Sequence, residues 1–206
     1  FATACAYDRA GFGWSDPGPA PRTSGRIADE LHSLLAAARV PPPYLLVAAS
    51  FGGHAARIFS QRYRDETAGL VLLDARHEDL DRRMPPAWKQ LERNGKGMYQ
   101  VMGWAARLGL LGLLGRVMGE RAAPPVVQKL PAELRGTYLA AGFHTQFFES
   151  NLAELAAVAE SDRQAAAAGK LGNLPLTVVR HGRPDLFASL PAGQRDRAEE
   201  VWQELQ

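Results

Sequence analysis

The chain has 206 residues, of which 46% are hydrophobic and 22% are charged, and its formal net charge is +2. These values are typical of one globular domain and exclude a disordered chain, and the single cysteine excludes an intramolecular disulfide framework. The basic residues form no run longer than a pair, so we expect no nucleic-acid partner.

Strand and helix patterns alternate in the first third of the chain. Residues 1–7 predict a strand, and a glycine-rich loop follows it to residue 16. Thr23 or Ser24 can cap a helix that the prolines at 41–43 end. Continuous apolar runs at 44–49 and 69–74 predict two buried strands, with a helix between them. This order predicts a mostly parallel, doubly wound α/β sheet whose strands are covered on both faces.

The pattern becomes helical between residues 78 and 172, with breaks at prolines. The most apolar part, residues 101–119, contains arginines and glycines and is too short to span a membrane, so we expect an amphipathic helix there. A buried strand returns within 173–182, and a closing helix begins near Pro191. We therefore expect an α/β core at 1–77 and 173–206, and a helical cap at 78–172.

A serine directly follows the second predicted strand, in the sequence AASFGG at residues 48–53. A serine at a sharp turn from strand to helix has an exposed hydroxyl, and small residues on both sides let the strand and helix pack closely. The alternative is an ordinary polar residue at a strand end. The strand before Ser50 and the two glycines and helix after it favour a nucleophile elbow.

Two further segments carry a family resemblance. The loop YDRAGFGWSD at 7–16 resembles the Y-D-x-x-G-x-G-x-S loop of the α/β-hydrolase superfamily, and GLVLLD at 69–74 looks like the next strand of that fold. The helical segment falls where capped members of the superfamily carry their cap. The chain thus resembles a capped serine hydrolase of the α/β-hydrolase type over nearly its whole length.

The resemblance implies roles for particular residues. Ser50 matches the nucleophile, and the backbone N–H of Phe51 matches one oxyanion donor. Asp185, in RHGRPD after the last strand, matches the acid, and Asp74 at the end of VLLD is the alternative. In this superfamily the catalytic histidine follows the acid, and no histidine follows Asp185.

We therefore expect the histidine base and the second oxyanion donor to lie outside this sequence. The chain starts within a strand pattern and stops within a helix pattern, which is typical of a fragment. We expect this chain alone to be unstable, inactive or both, because a missing strand would leave unpaired backbone groups in the sheet.

The substrate is expected to be a small lipophilic ester or acyl compound. Apolar and aromatic residues of the cap, among them Trp104 and Phe147, can form an apolar wall, since ligand pockets are mostly apolar. His77 and His144 can line the same site. The resemblance implies no cofactor and no metal, and the single cysteine is consistent with a cytoplasmic protein.

The resulting hypothesis is a serine hydrolase that works through an acyl-enzyme on Ser50. A serine at the elbow argues against the epoxide hydrolase and haloalkane dehalogenase branches, which use aspartate there. Two alternatives stay open: a cofactor-free haloperoxidase or acyltransferase on the same residues, and a non-catalytic binding module that keeps the fold.

Overall fold

The computed structural model describes residues 3–118, 125–182 and 187–206. Within these residues, a parallel sheet has the strand order β1-β2-β3. The strands are β1 (Tyr44–Ala49), β2 (Thr67–Leu73) and β3 (Leu176–Val179). The helices are α1 (Ser24–Ala37), α2 (Gly52–Arg62), α3 (Leu80–Arg83), α4 (Pro86–Arg107), α5 (Leu110–Met118), α6 (Pro125–Gln128), α7 (Ala132–Phe143), α8 (Thr145–Ala156), α9 (Val158–Ala168) and α10 (Ala192–Leu205).

The chain forms two compact units. Unit 1 consists of Phe1–Ala20 and Asn94–Ala156, and unit 2 consists of Pro21–Arg93 and Ala157–Gln206. Unit 2 contains the sheet with α1, α2, α9 and α10, and unit 1 is built from helices and the N-terminal loop. Every strand-end residue discussed below therefore belongs to unit 2.

Helices α1 and α2 cover one face of the sheet. The Thr23 side chain accepts a hydrogen bond from the Arg26 N–H at 3.3 Å and caps α1, as its sequence predicts. Ala28 of α1 and Ile58 and Phe59 of α2 form a buried cluster, against which alternate residues of β1 pack. The predicted parallel α/β sheet is confirmed by the register of β1 on β2 and of β2 on β3.

The expectation that the strands are covered on both faces is wrong for β1 and β3, whereas Leu70 and Leu72 of β2 are buried as predicted. Leu45 and Val47 are 62% and 63% exposed, because the described helices pack only on the face that carries Tyr44 and Leu46. The strand predicted within 173–182 is present as β3, an outer strand of the described sheet. It is not buried as predicted, since all four of its residues are exposed.

The strand predicted at residues 1–7 is also wrong. Residues 3–7 have no regular secondary structure and are exposed. A strand is stable only when its N–H and C=O groups pair with a neighbouring strand, and the described sheet offers residues 3–7 no such partner. Apolar composition alone could not reveal that.

The helical segment between β2 and β3 is confirmed as helical, since α3 to α9 occupy it. Prolines begin several of these helices: α4 starts at Pro86, and Pro131 precedes α7. None of the helices in the described ranges combines the length and apolarity that crossing a lipid bilayer requires.

Candidate active site

Ser50 lies at the turn between β1 and α2 in a backbone conformation that is rare for a residue with a side chain. Its φ is +49°, and its side chain is exposed. The Ser50 N–H donates to the Leu73 carbonyl at 3.1 Å, which extends the β1–β2 pairing by one step. The Ser50 carbonyl accepts from the N–H groups of Gly53 at 3.1 Å and Arg76 at 3.0 Å. These bonds hold the strained turn in place.

The glycine pair after Ser50 allows a close approach between α2 and the loop after β2. A Cβ atom on Gly53 would lie only 2.7 Å from the Cβ of Ala75, so a side chain there would displace the loop. Phe51 is the N-cap residue of α2, and the first N–H groups of a helix have no partner within the helix. The Phe51 N–H beside Ser50 is thus a suitable donor to a developing oxyanion.

Arg76 connects the Ser50 turn to a group of charged side chains. Its guanidinium is largely buried and forms two hydrogen bonds with the Asp162 carboxylate of α9, at 3.1 and 3.0 Å. It also lies 2.8 Å from the Asp81 carboxylate and 3.9 Å from that of Glu92. Burial alone would lower the pKa of Arg76, but the carboxylates of Asp162 and Asp81 outweigh that effect and raise it.

His54, one turn after Ser50 on α2, belongs to the same group. Its ring is fully buried, and Nε2 lies 2.8 Å from an oxygen of Asp162. Its Nδ1 is buried without a hydrogen-bond partner among the described residues. Burial would raise the pKa of Asp162, but the hydrogen bonds from His54 and Arg76 hold it below its usual value. We call His54, Arg76 and Asp162 the elbow-anchor network.

A second polar group lies at the carboxyl ends of β2 and β3. Asp74, with φ of +40°, follows β2, and its Oδ1 accepts from His181 Nδ1 at 2.7 Å, from the His181 backbone N–H at 3.0 Å and from Trp202 Nε1 at 3.1 Å. The other ring nitrogen of His181 lies 3.0 Å from the Glu199 carboxylate of α10. We call Asp74, His181, Glu199 and Trp202 the acid–histidine cluster.

The two carboxylates control the charge of His181. Burial alone would lower the pKa of His181, but hydrogen bonds to Asp74 and Glu199 outweigh burial and raise it. The pKa of Asp74 is correspondingly lowered, because the hydrogen bonds from His181 and Trp202 outweigh the effect of its own burial. Both ring nitrogens of His181 thus contact carboxylates, which favours the charged ring that donates from both nitrogens.

The structure describes only one of the two candidate catalytic acids, Asp74. Asp185 lies outside the described residues. Asp74 follows β2 and Ser50 follows β1, and because these neighbouring strands are parallel, both residues lie at the same edge of the sheet.

His77 is half-buried in the loop after β2. Its Nδ1 accepts from the Asp79 N–H at 3.1 Å, and burial lowers its pKa. The neighbouring Glu78 carboxylate is bound by two nitrogens of Arg57, and despite burial these bonds lower the pKa of Glu78 to about 2. His77 is thus a neutral ring beside a fixed ion pair.

The other proposed substrate-binding residues belong to unit 1. His144 is exposed and ends α7. Trp104 is 64% exposed on α4, with the Arg107 guanidinium 5.3 Å from its ring centre. Phe147 packs edge-to-face against Phe12, with ring centres 6.1 Å apart, in an aromatic cluster that includes Tyr99 and Phe148. Phe147 therefore takes part in the packing of unit 1, whereas Trp104 faces outward.

Sequence reasoning missed Arg76, Asp162, Glu199 and Trp202, which hold the candidate residues in place. The contact between Asp74 and His181 could have been inferred from the sequence. Each residue follows a predicted strand, and the ends of neighbouring parallel strands lie close together. The contribution of Asp162 could not be inferred, because it depends on how α9 docks. Among the described residues, no group of three or more histidine, cysteine or acidic side chains has the arrangement of a metal site.

Comparison with known proteins agrees with this geometry. A family model of the alpha/beta hydrolase fold matches residues 2–102. The solved structure of a candidate epoxide hydrolase from Pseudomonas aeruginosa superposes with a TM-score of 0.61 at 16% identity, covering 96% of this chain and 67% of that protein. The chain has an α/β-hydrolase fold.

Two proteins with sequence similarity to this chain are uncharacterized. A protein from Schizosaccharomyces pombe is 32% identical over 117 residues, which cover 55% of this chain and 20% of that protein. YqjL from Bacillus subtilis is 44% identical over 68 residues, which cover 33% of this chain and 27% of that protein. The matched regions thus span less than a third of either relative's length.

Proposed function

We propose that this α/β hydrolase is a serine hydrolase that cleaves ester-like small molecules through an acyl-enzyme on Ser50. The observation that carries the proposal is the Ser50 backbone, with a φ of +49° at a strand-to-helix turn and an exposed side chain. Such strain persists only where surrounding contacts enforce it, and it is concentrated at functional sites. An aspartate nucleophile, as used by epoxide hydrolases and haloalkane dehalogenases, is absent from this position.

In the proposed reaction, the Ser50 oxygen attacks the ester carbonyl while a histidine takes its proton. The tetrahedral oxyanion accepts a hydrogen bond from the Phe51 N–H, and its collapse expels the alcohol, which takes the proton from that histidine. Water then attacks the acyl-enzyme with the same base, and the acid is released with Ser50 regenerated.

The proposed histidine is one that this sequence does not contain, and Asp185 would orient it. Asp74 is the alternative acid, and it already orients a histidine, since His181 Nδ1 lies 2.7 Å away. His181 is a poor base as placed, because its Nε2 is occupied by the Glu199 carboxylate. The acid–histidine cluster is thus better suited to fixing the ends of β2 and β3 than to accepting the Ser50 proton.

A fluorophosphonate probe tests the nucleophile in the protein produced at the full length of its gene. We expect covalent labelling that Ser50→Ala abolishes and that Ser33→Ala, at an exposed serine of α1, leaves unchanged. Equal labelling of the Ser50→Ala protein would refute the proposal. Absence of labelling in the unmodified protein would favour the non-catalytic binding module instead.

Substitution of each acid distinguishes Asp185 from Asp74. The catalytic acid, when changed to asparagine, is expected to lower kcat for a p-nitrophenyl ester by about 10³- to 10⁴-fold with little change in KM. The other substitution is expected to act through stability alone, so its kcat should be nearly normal below its unfolding temperature. Product analysis with added alcohol or peroxide separates hydrolysis from acyl transfer and haloperoxidase activity, which would use the same acyl-enzyme.

A further inference from the structure

A single peptide group at the Ser50 turn joins the Ser50 carbonyl to the Phe51 N–H. The carbonyl accepts from the N–H groups of Gly53 at 3.1 Å and Arg76 at 3.0 Å. The Ser50–Phe51 bond is trans, and a trans peptide group is planar, with its C=O and N–H on opposite sides. Contacts that fix the Ser50 carbonyl therefore also fix the direction of the Phe51 N–H.

The Phe51 N–H is available to an acceptor from outside the fold. Among the described residues, no backbone or side-chain oxygen accepts a hydrogen bond from it, in keeping with its place just before the first turn of α2. An oxyanion donor stabilises the tetrahedral intermediate best when its direction is already set before the charge develops. The two hydrogen bonds on the Ser50 carbonyl thus act at a distance of one peptide group on the oxyanion donor.

The backbone that leads into Arg76 is held by hydrogen bonds to two other parts of unit 2. The Asp74 N–H donates to the Val179 carbonyl of β3 at 2.8 Å. The Ala75 N–H donates to the side-chain oxygen of Gln206 at 3.2 Å, and the Ala75 carbonyl accepts from the side-chain amide of Gln206 at 2.7 Å. These three bonds fix the loop after β2 up to the residue that donates to the Ser50 turn.

The side chain of Arg76 provides a second anchor for the same residue. Its guanidinium is only 10% exposed and donates to both oxygens of the Asp162 carboxylate, at 3.1 and 3.0 Å. Such paired, charge-assisted hydrogen bonds fix both position and orientation. Asp162 also lies 2.8 Å from His54 Nε2, and the centre of the His54 ring lies 6.0 Å from that of the Phe51 ring. The elbow-anchor network therefore contacts both residues of the peptide group, Ser50 through a backbone bond and Phe51 through its ring.

We infer that Arg76 is a positioning residue for the oxyanion donor. Its N–H holds the Ser50 carbonyl, and its side chain, fixed by Asp162, keeps that N–H in place. The Phe51 N–H consequently has a set direction before the substrate binds, so no reorientation is needed when the oxyanion forms. This role rests on the proposed acyl-enzyme chemistry at Ser50, and it assigns part of the rate to residues that do not touch the substrate.

Ester hydrolysis by the protein produced at the full length of its gene tests the positioning role. Asp162→Asn keeps the size of the side chain but removes the charge that holds the Arg76 guanidinium. We expect kcat for a p-nitrophenyl ester to fall by about 10- to 100-fold with little change in KM, which is less than the loss of about 10²- to 10³-fold when a donor is removed outright. The affinity for a trifluoromethyl ketone, which Ser50 converts into a tetrahedral oxyanion, should fall by a similar factor.

Glu30→Gln is the matched control for lost stability. Glu30 of α1 forms an ion pair with Arg22, which is only 4% exposed, so this substitution also removes a carboxylate from a buried arginine of unit 2. It should leave kcat and the ketone affinity unchanged. Arg76→Lys is a second test variant: it keeps the charge but not the paired hydrogen bonds, so kcat should fall by a smaller factor at unchanged KM. Circular dichroism establishes that each variant is folded.

Amide hydrogen exchange provides a readout that needs no turnover. The Arg76 N–H is protected by its bond to the Ser50 carbonyl, so it should exchange at least about tenfold faster in Asp162→Asn than in the unmodified protein. Glu30→Gln should leave its exchange nearly unchanged.

The outcomes separate this role from the proposed hydrolysis. If the unmodified protein hydrolyses the ester but a folded Asp162→Asn protein keeps its kcat or its Arg76 protection, the positioning role is wrong and the hydrolysis stands. An equal loss of kcat in Glu30→Gln would likewise overturn the role, because lost stability would then explain both variants. Absence of both ester hydrolysis and fluorophosphonate labelling in the unmodified protein would refute the hydrolysis, and the positioning role with it.

Discussion

Ser50 combines an exposed side chain with a backbone conformation that glycine would adopt more readily. Hydrogen bonds from the N–H groups of Gly53 and Arg76 to its carbonyl stabilise this φ of +49°. The surrounding loop and helix thus hold Ser50 in a backbone conformation that a serine rarely adopts. Arg39, at φ of +54° just after α1, shares the conformation in an ordinary helix-ending context. The strain at Ser50 is therefore informative only together with its position at the strand end.

This strain predicts opposite effects of glycine at two serines. Ser50→Gly should be more stable than Ser50→Ala by about 1 kcal/mol, because glycine relieves the cost of a positive φ. At Ser33, inside α1, glycine should instead be less stable than alanine by about 0.5–1 kcal/mol. Urea unfolding of the four variants measures both differences. If Ser50→Gly and Ser50→Ala had equal stability, the backbone at Ser50 would not be strained.

The pair of Asp74 and His181 predicts how stability changes with pH. The pKa of His181 is raised in the folded chain, so its stabilising contribution is complete below the unfolded value of about 6.5 and is lost as pH rises through the folded value. The pKa of Asp74 is lowered, so its contribution is present above about 3.9 and is lost as pH falls through the folded value. The window of full stabilisation lies between these limits.

The measurement compares the unmodified chain with His181→Gln. The loss of unfolding free energy caused by the substitution should be larger at about pH 5.5 than at about pH 9, because the contribution of the charged ring is lost as pH rises through its raised folded pKa. Urea unfolding at the two pH values gives both losses. An equal loss at both would show that the Asp74 and Glu199 contacts do not favour the charged ring.

At the scale of elements, the elbow-anchor network connects three parts of unit 2. Arg76 belongs to the loop after β2, His54 to α2 and Asp162 to α9, and the Arg76 N–H also supports Ser50. Removing Asp162 would take one carboxylate away from the largely buried Arg76 guanidinium and would leave the buried His54 ring without its only described hydrogen-bond partner. The last helix of the helical segment thereby stabilises the turn that carries Ser50.

Asp162→Ala is therefore expected to lower the free energy of unfolding by about 3 kcal/mol, because it breaks a buried ion pair by removing one partner. Arg163→Ala, at the next residue of α9, removes an exposed ion pair with Glu160 and should cost less than about 0.5 kcal/mol. Chemical denaturation of both variants checks the contrast. Similar losses in the two would show that the network does not anchor α9.

Periodicity predicted the elements better than it predicted their surroundings. The strands at Tyr44–Ala49 and in 69–74, the cap at Thr23 and the helical segment follow from local patterns that the structure confirms. Coverage of β1 and β3 and pairing of residues 1–7 depend on which elements are neighbours in space, and a single run of apolar residues looks the same whether one face or both are covered. The wrong predictions therefore all concern which elements pack against or pair with a strand.

The same limit applies to the candidate site. The strand-to-helix turn at Ser50 could be predicted because its strand, glycines and helix are consecutive in sequence, whereas Asp162 lies 108 residues beyond His54. The contact between Asp74 and His181 lies between these cases, since it follows from parallel topology but not from local sequence. The catalytic roles of Ser50, Asp74 and Asp185 remain predictions.

At the scale of the molecule, unit 2 exposes one apolar sheet face. Leu45 and Val47 of β1 are among the most exposed large apolar side chains of unit 2, and a net charge of only +2 gives little repulsion between copies. Exposed apolar edge strands promote association unless charged residues interrupt them. The chain is therefore expected to associate through this face at high concentration.

Val47→Lys should reduce concentration-dependent aggregation of the chain by about twofold or more, as static light scattering would measure, because it places a charge within the apolar face. Ser33→Lys adds the same charge on the exposed side of α1, so it controls for net charge alone. If both variants reduced scattering equally, general repulsion and not the sheet face would explain the effect.

The buried guanidinium of Arg76 has one more consequence, for the interchange of protein segments. Two of its three carboxylate neighbours, Glu92 and Asp162, lie on either side of residues 94–156 in sequence, so the loop after β2 contacts the chain before and after that segment. Closing a shorter connection between ends that are already held costs little chain entropy. The support of the Ser50 turn thus comes from residues on either side of this segment, so a change in the segment's length should leave that support in place.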